Sequence, residues 1–291
     1  MRTGFIGLGA MGLPMARNLH RSGLLAGVWN RTPARSQALA AELGCETAES
    51  PAALAGRCEI LILCVSADAD VQEVVDALAP ALAAGSIVID CSTASAATAR
   101  RAAARLAQQG SQFLDCPVSG GVEGARSGTL AIMCGGDQDA FERARPVLAA
   151  LGTTITHFGA SGAGQAAKAA NQIMCAGVIR AVAEAMAFAR AQGLPLGPLV
   201  ETLSGGAGSS WYFVHRAPFM IRGEYPAGFR VRLHEKDLRI CREMAAESGA
   251  VLPTVEAMLA EYAELAARGY GDEDISAVHR LKTALFTPRD P

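Results

Sequence analysis

Along the first half of the chain, apolar residues come in short runs separated by longer stretches with helical spacing. Ile60-Leu61-Ile62-Leu63-Cys64-Val65 contains no polar residue, and Ile87-Val88-Ile89 meets one only at Asp90. Unbroken runs of this kind predict strands covered on both faces, as in a parallel sheet. Gly4-Phe5-Ile6, Gly27-Val28-Trp29-Asn30, Phe113-Leu114-Asp115-Cys116 and Leu130-Ala131-Ile132-Met133-Cys134 predict further strands. Between them lie helical segments. One follows at Leu13–Leu19, and another starts at Thr32-Pro33, with Thr32 as N-cap and Pro33 in the first turn. Ser50-Pro51 repeats the device before a short helix, Asp68 is expected to cap the next, and two more fall near 95–109 and 137–151. Strand and helix in alternation predict a doubly wound α/β sheet.

After Phe158 the strand pattern stops. From about Gly164 to Gln192 the residues are almost all helix formers, ended by Gly193-Leu194-Pro195. A helix of that length extends about 40 Å at 1.5 Å per residue. Helices are then expected at Leu196–Leu203, around Trp211–Met220, at Lys236–Ser248 and at Thr254–Arg268. The division predicted is an α/β domain over 1–161 and an all-helical domain over 162–291 that opens with the long helix.

The first strand runs directly into Gly7-Leu8-Gly9-Ala10-Met11-Gly12 and then a helix. This is the order of a dinucleotide-binding (Rossmann) unit. Gly7 serves the tight turn, Gly9 admits a pyrophosphate to the backbone, and Gly12 lets helix and strand pack closely. Ala10 and Met11 lie between, where free N–H groups of the helix start face the phosphates. At the end of the second strand, NAD binders usually carry Asp or Glu for the ribose 2′-hydroxyl. Asn30-Arg31-Thr32 stands there instead. Arg31 suits a 2′-phosphate, with Asn30 and Thr32 as hydrogen-bond donors, so NADP is expected and NAD remains the alternative. The next strand ends, Val65-Ser66 and Cys91-Ser92-Thr93, point to Val65, Ser66 and Thr93 as further cofactor contacts.

Composition narrows the setting. The 291 residues are 51% hydrophobic and 19% charged, with a net charge of −2, which gives no support to nucleic acid or an anionic membrane as partner. No stretch reads as a membrane helix with suitable flanks, and no signal peptide is expected before a core strand at residue 4. The eight cysteines form no C-x-x-C pair and the five histidines lack ligand spacing. They predict buried thiols in a reducing cytoplasm and no metal.

Two later segments carry chemistry. Ser119-Gly120-Gly121, inside Asp115-Cys116-Pro117-Val118-Ser119-Gly120-Gly121, offers a hydroxyl and approachable N–H groups for a substrate carboxylate. A purely structural loop needing positive φ reads the same way. In Gly162-Ala163-Gly164-Gln165-Ala166-Ala167-Lys168-Ala169-Ala170-Asn171-Gln172, Lys168 is the only Lys, Arg, Asp or Glu between Arg145 and Arg180. A lysine alone among small helical residues is either partly buried, which favours its neutral form and suits proton transfer, or a surface side chain that snorkels. Asn171 and Gln172 follow at i+3 and i+4 on one helix face.

Together with Phe229 and Lys236-Asp237-Leu238, these segments resemble the β-hydroxyacid dehydrogenase family, and the resemblance spans essentially the whole chain. That family includes 3-hydroxyisobutyrate dehydrogenase, tartronate semialdehyde reductase and the glyoxylate/succinic semialdehyde reductases. The resemblance implies an NAD(P)-dependent oxidoreductase, a dimer or tetramer, with Lys168 as acid/base. Ser119, Gly120 and Gly121 would bind the substrate, with Asn171, Gln172 and Asp237 beside it. Thr93 and Lys236 would approach the nicotinamide end of the cofactor, and Phe229, a further cofactor contact, would line the closed cleft with Asp237. One departure stands out, because many relatives carry Asn-Asn where this chain has Asn171-Gln172.

Leu233-His234-Glu235-Lys236-Asp237-Leu238 resembles the tartronate semialdehyde reductases, while Asn30-Arg31-Thr32 resembles the NADPH-dependent glyoxylate/succinic semialdehyde reductases. Both imply reduction of a short aldehyde acid. A 3-hydroxyisobutyrate dehydrogenase is the alternative within the family, and a non-catalytic NADP-binding scaffold is the alternative outside it. Imine reductases share the architecture but commonly replace the lysine. The decarboxylating 6-phosphogluconate dehydrogenases need a longer C-terminal domain.

Overall fold

The computed structural model describes residues 1–286. In its α/β part the elements are β1 (Thr3–Ile6), α1 (Gly12–Arg21), β2 (Leu25–Trp29), α2 (Pro33–Leu43), β3 (Glu46–Thr47), α3 (Pro51–Ala55), β4 (Ile60–Leu63) and α4 (Asp68–Leu78). They continue with β5 (Ile87–Asp90), α5 (Ala96–Ala107), β6 (Gln112–Asp115), β7 (Val118–Ser119), α6 (Gly121–Ser127), β8 (Leu130–Gly135), α7 (Gln138–Ala149) and β9 (Gly152–Gly159). The helical part comprises α8 (Ala163–Ala191), α9 (Leu196–Leu203), α10 (Trp211–Arg222), α11 (Val231–Ala246), α12 (Pro253–Ala267) and α13 (Val278–Ala284). The chain forms two compact units that meet in sequence at Lys168 and Ala169, inside α8.

In the first unit the strand order is β3-β2-β1-β4-β5-β6-β8-β7, with β9 beside β8. Neighbours from β3 to β6 are parallel. The order reverses between β1 and β4, the switch point at which such sheets bind nucleotides. The unbroken apolar runs serve two faces at once. Phe5, Ile60, Ile62, Ile87, Ile89 and Leu114 enter one core layer. Their neighbours Ile6, Leu61, Leu63, Val88 and Phe113 enter the other, with Val71, Val75 and Leu78 of α4. Period-two alternation thus hides inside an all-apolar run, as burial on both faces requires.

The second unit has its own core. From α8 it takes Ala176, Ile179, Ala183 and Met186, and from α12 Val255, Met258, Leu259, Tyr262 and Leu265, each set at helical spacing.

Several expectations need correction. The sheet is mixed, because β8 runs antiparallel to β6 and β7. β3, β7, β9, α6 and α13 had no sequence signal strong enough to be placed, most being short or half exposed. Helix α11 starts at Val231, five residues before the expected Lys236. Thr32 holds the N-cap position of α2, but its side chain makes no capping bond. Asp68 is the first residue of α4 rather than its cap, and its carboxylate accepts from Ser95 N and Oγ at 2.8 and 2.6 Å. No charge-free stretch of membrane length occurs in the longest apolar helix, because Lys168, Arg180, Glu184 and Arg190 interrupt it. Ala163–Ala191 is long and apolar enough to qualify by length and composition, with mean hydropathy 1.4 in its most apolar window. Ala176, Ile179, Val182, Ala183 and Met186 of this helix enter the second unit's core, whereas Met174 and Phe188 are exposed. Five of the eight cysteines are buried as expected, whereas Cys45, Cys64 and Cys175 are half-buried.

Two stability measurements follow. A Cβ on Gly164 would overlap the carbonyl oxygens of Asp115 and Met133. Gly164→Ala is therefore expected to cost about 1–3 kcal/mol, read as a lowered urea midpoint. Burial, and then the charges of Arg190 and Arg280, lower the His279 pKa to about 4. Between about pH 6.5 and 4 the unfolded chain binds a proton that the folded chain refuses, so stability falls as pH falls. Urea titrations of wild type and His279→Gln at pH 7 and 5 should show the wild type losing up to about 2 kcal/mol more than the variant.

Candidate active site

The glycine loop fits a dinucleotide. Gly7 has φ of +94°, and a Cβ on Gly12 would overlap the Gly7 carbonyl oxygen, so the start of α1 is drawn tightly onto β1. A Cβ on Gly9 would meet nothing within 4 Å, which leaves its backbone open to a pyrophosphate. Ala10 is exposed and Met11 half-buried at the helix start, and no acidic residue sits in the first turn of α1 to repel phosphate.

Asn30 is tied into this loop. Its Oδ1 accepts from Leu8 N at 2.8 Å, and its Nδ2 donates to Thr32 O at 3.0 Å. The amide oxygen and one of the two N–H groups of Asn30 thus hold the loop. Arg31 Nη1 donates to Asp70 Oδ1 at 2.8 Å. Arg35 was not singled out from the sequence. It reaches the same loop, with Nη1 3.5 Å from Leu8 O. Its signal was available, as a second basic residue one turn beyond Arg31.

The later strand ends are cross-braced. Val65 N donates to Ser92 Oγ at 2.8 Å, while Ser66 is exposed beside it. Thr93 is half-buried between two residues clamped by one side chain: Gln165 Nε2 donates to Ser92 O at 2.8 Å, and Gln165 Oε1 accepts from Ala94 N at 3.1 Å.

Gln165 belongs to the first turn of α8, and that turn is fixed by Asp115. The carboxylate, fully buried, accepts from Gly162 N at 2.8 Å and from Gln165 N at 2.9 Å. Burial raises the Asp115 pKa, and these backbone N–H groups work against the rise. One turn further on, Lys168 is only 7% exposed, and its Nζ donates to Val118 O at 2.9 Å. The snorkelling alternative is thereby excluded. Val118 immediately precedes Ser119-Gly120-Gly121, where Gly120 and Gly121 have φ of +128° and +64° and lead into α6. The lysine and the candidate anion loop, 47 residues apart at Lys168 and Gly121, come together within one unit. Exposed Glu123 lies toward Gly121, with Oε2 3.0 Å from where a side chain there would begin.

The second unit brings its own candidates together. Asn171 Nδ2 donates to Gln172 Oε1 at 2.8 Å, Gln172 Nε2 to Asp237 Oδ2 at 2.7 Å, and Lys236 Nζ lies 3.0 Å from Asp237 Oδ1. Gln172 and Asp237 are 1% and 4% exposed, so they brace Asn171 and Lys236 more than they offer themselves to a ligand. Gln172 O also accepts from His234 Nε2 at 3.2 Å, and His234 Nδ1 lies 2.8 Å from Tyr262 Oη.

Phe229 packs on His234, and its loop is held by a residue the sequence did not reveal. Asp274, fully buried, accepts from Gly228 N at 3.2 Å and Phe229 N at 3.0 Å, with Arg216 3.3 Å away. No group of three or more His, Cys, Asp or Glu that could hold a metal occurs among the described residues.

Comparisons with known proteins identify the family. Residues 2–159 match the model described as the NAD binding domain of 6-phosphogluconate dehydrogenase. Residues 162–282 match that of the NAD-binding region of NADP-dependent 3-hydroxyisobutyrate dehydrogenase. A 2-hydroxy-3-oxopropionate reductase of Escherichia coli is 36% identical over 281 residues, covering 96% of each chain. An NAD-dependent L-serine dehydrogenase of Pseudomonas aeruginosa is 36% identical over 289 residues, covering 95% of this chain and 96% of its own. The solved structure of Mycobacterium tuberculosis 3-hydroxyisobutyrate dehydrogenase with L-serine superposes with a TM-score of 0.88 at 33% identity, over 97% of this chain and 99% of that one. The chain belongs to the β-hydroxyacid dehydrogenase family of NAD(P)-dependent oxidoreductases.

Proposed function

We propose that the chain is an NADP-dependent oxidoreductase interconverting a short β-hydroxy acid and its semialdehyde, and that it acts as an NADPH-dependent reductase of tartronate semialdehyde or a related aldehyde acid. The observation that carries this reading is the buried Lys168 Nζ, 2.9 Å from the carbonyl that leads into Ser119-Gly120-Gly121. It sets a proton-carrying group beside a loop suited to a carboxylate.

The cofactor, when bound, supplies or receives the hydride at the reacting carbon. As negative charge gathers on the substrate oxygen, protonated Lys168 donates to it. In the reverse direction the neutral amine takes the hydroxyl proton. Val118 O holds Nζ in place meanwhile. Ser119 Oγ and the N–H groups of Gly120 and Gly121 hold the carboxylate, and Thr93, kept in place by Gln165, faces the nicotinamide end with Ser66 and Val65. From the second unit, the braced Asn171 and Lys236 with Phe229 take the supporting roles that the family resemblance implies.

Support for tartronate semialdehyde comes from the relative named 2-hydroxy-3-oxopropionate reductase, which is the same compound's systematic name. A second reading, NAD as the cofactor, is favoured by one observation: Asp70 already engages the Arg31 guanidinium. The burial of five of the eight cysteines as small apolar thiols supports a cytoplasmic setting. Met174 and Phe188 on α8, 62% and 51% exposed, support a homodimer or homotetramer.

Two experiments test the proposal. Lys168→Ala is expected to lower kcat by about 10²–10⁴-fold or more while NADPH binding stays measurable, and near-normal turnover would remove Lys168 from its role. In a panel of tartronate semialdehyde, succinic semialdehyde and glyoxylate with NADPH, and 3-hydroxyisobutyrate and L-serine with NADP⁺, the highest kcat/KM is expected for tartronate semialdehyde. No turnover across the panel despite tight NADPH binding would favour the scaffold reading.

A further inference from the structure

Strand β1 lies between β2 and β4, so the segments that follow β2 and β4 flank the glycine loop that follows β1. Arg31 stands on the first of these segments. Asp70 stands on the second, in the first turn of α4. Their side chains meet at 2.8 Å, with Arg31 72% exposed and Asp70 21% exposed. Of the two acids in that turn, Asp68 is turned to Ser95 N and Oγ, and Asp70 faces the arginine.

An ion pair this exposed adds little to the stability of a fold. Its position gives it a different consequence. A guanidinium has five N–H donors, and a carboxylate that occupies some of them obstructs the bidentate grip that suits a phosphate. A 2′-phosphate sharing Arg31 with Asp70 would also bring about −1.5 to −2 charges close to a carboxylate. An unphosphorylated ribose meets neither penalty.

We propose that Asp70 is a cofactor-specificity residue: by pairing with Arg31 it weakens the hold on a 2′-phosphate, and so limits how strongly this chain prefers NADP to NAD. The inference rests on the reading of Arg31 as the partner of that phosphate. It accounts for a sequence that has the arginine of an NADP site while the structure shows the arginine already engaged. Arg35, beside Leu8 O, remains as a second cation for the phosphate.

The test is an equilibrium titration of NADPH and NADH, followed by nucleotide fluorescence, with wild type, Asp70→Asn, Arg31→Ala and the double variant. Asp70→Asn keeps the side chain's shape and removes its charge. It is expected to lower the NADPH Kd by about 3- to 10-fold and to leave the NADH Kd within about twofold. Arg31→Ala should raise the NADPH Kd by about tenfold or more. The double variant should match Arg31→Ala, because Asp70 acts through the arginine. If Arg31→Ala loses NADPH affinity while Asp70→Asn leaves it unchanged or weaker, the inference about Asp70 is overturned and the reading of Arg31 stands. If Arg31→Ala binds NADPH as the wild type does, the reading of Arg31 falls, and the inference falls with it.

Discussion

The buried carboxylate of Asp115 is the constraint on which the candidate site depends. It ends a strand of the parallel sheet and takes the free N–H groups of Gly162 and Gln165 at the start of α8. An unpaired carboxylate in that position would be costly, and so would unpaired helix-start amides, so each satisfies the other. The contact also sets the rotation of the helix. Each residue turns an α-helix by about 100°. With Gln165 fixed toward Ser92 and Ala94, Lys168 has to fall one turn later, on the Val118 carbonyl. The absence of a side chain at Gly164 is what allows the helix to come that close.

The same logic, of polar groups fixed by partners distant in sequence, recurs in the second unit. Asp274 holds the backbone at Phe229 from 45 residues downstream. Asp237 uses one carboxylate oxygen on Gln172 and the other on Lys236. Both acids are buried and both carry more than one contact. They work as frame members, while the residues they hold (Phe229, Lys236 and Asn171) are the more exposed ones.

The sequence made much of this legible. All-apolar runs revealed the parallel strands, because burial on both faces leaves no place for polar residues. Gly7–Gly12 revealed the nucleotide loop, because close backbone approaches at Gly7 and Gly12 require glycine, and Gly9 leaves the backbone between them open. Lys168 was visible as a lone charge in a small-residue helix. Asp115 was legible as the end of a strand and the start of the Ser119 segment but not as the anchor of α8, and Asp274 was not legible at all, since a buried acid's partners are backbone amides that no residue code records. The engagement of Arg31 by Asp70 was equally hidden: sequence shows an arginine after β2, but not the acid 39 residues on that it meets. Short pieces such as β7 and α6 were missed because two or seven residues carry too little periodicity. The antiparallel course of β8 was lost because direction leaves no trace in composition.

Asn30 has a consequence for how such a chain can change over evolutionary time. Its side chain accepts from Leu8 and donates to Thr32, so the position needs one group of each kind. An acid there, the usual mark of NAD binding, would keep the first bond and set an oxygen against the Thr32 carbonyl. The glycine loop and the ribose-facing turn therefore share a residue that is hard to replace. Drift between cofactors finds its open path at exposed Arg31, where exchange disturbs no buried bond, while a change at position 30 must break one of the two bonds that hold the loop.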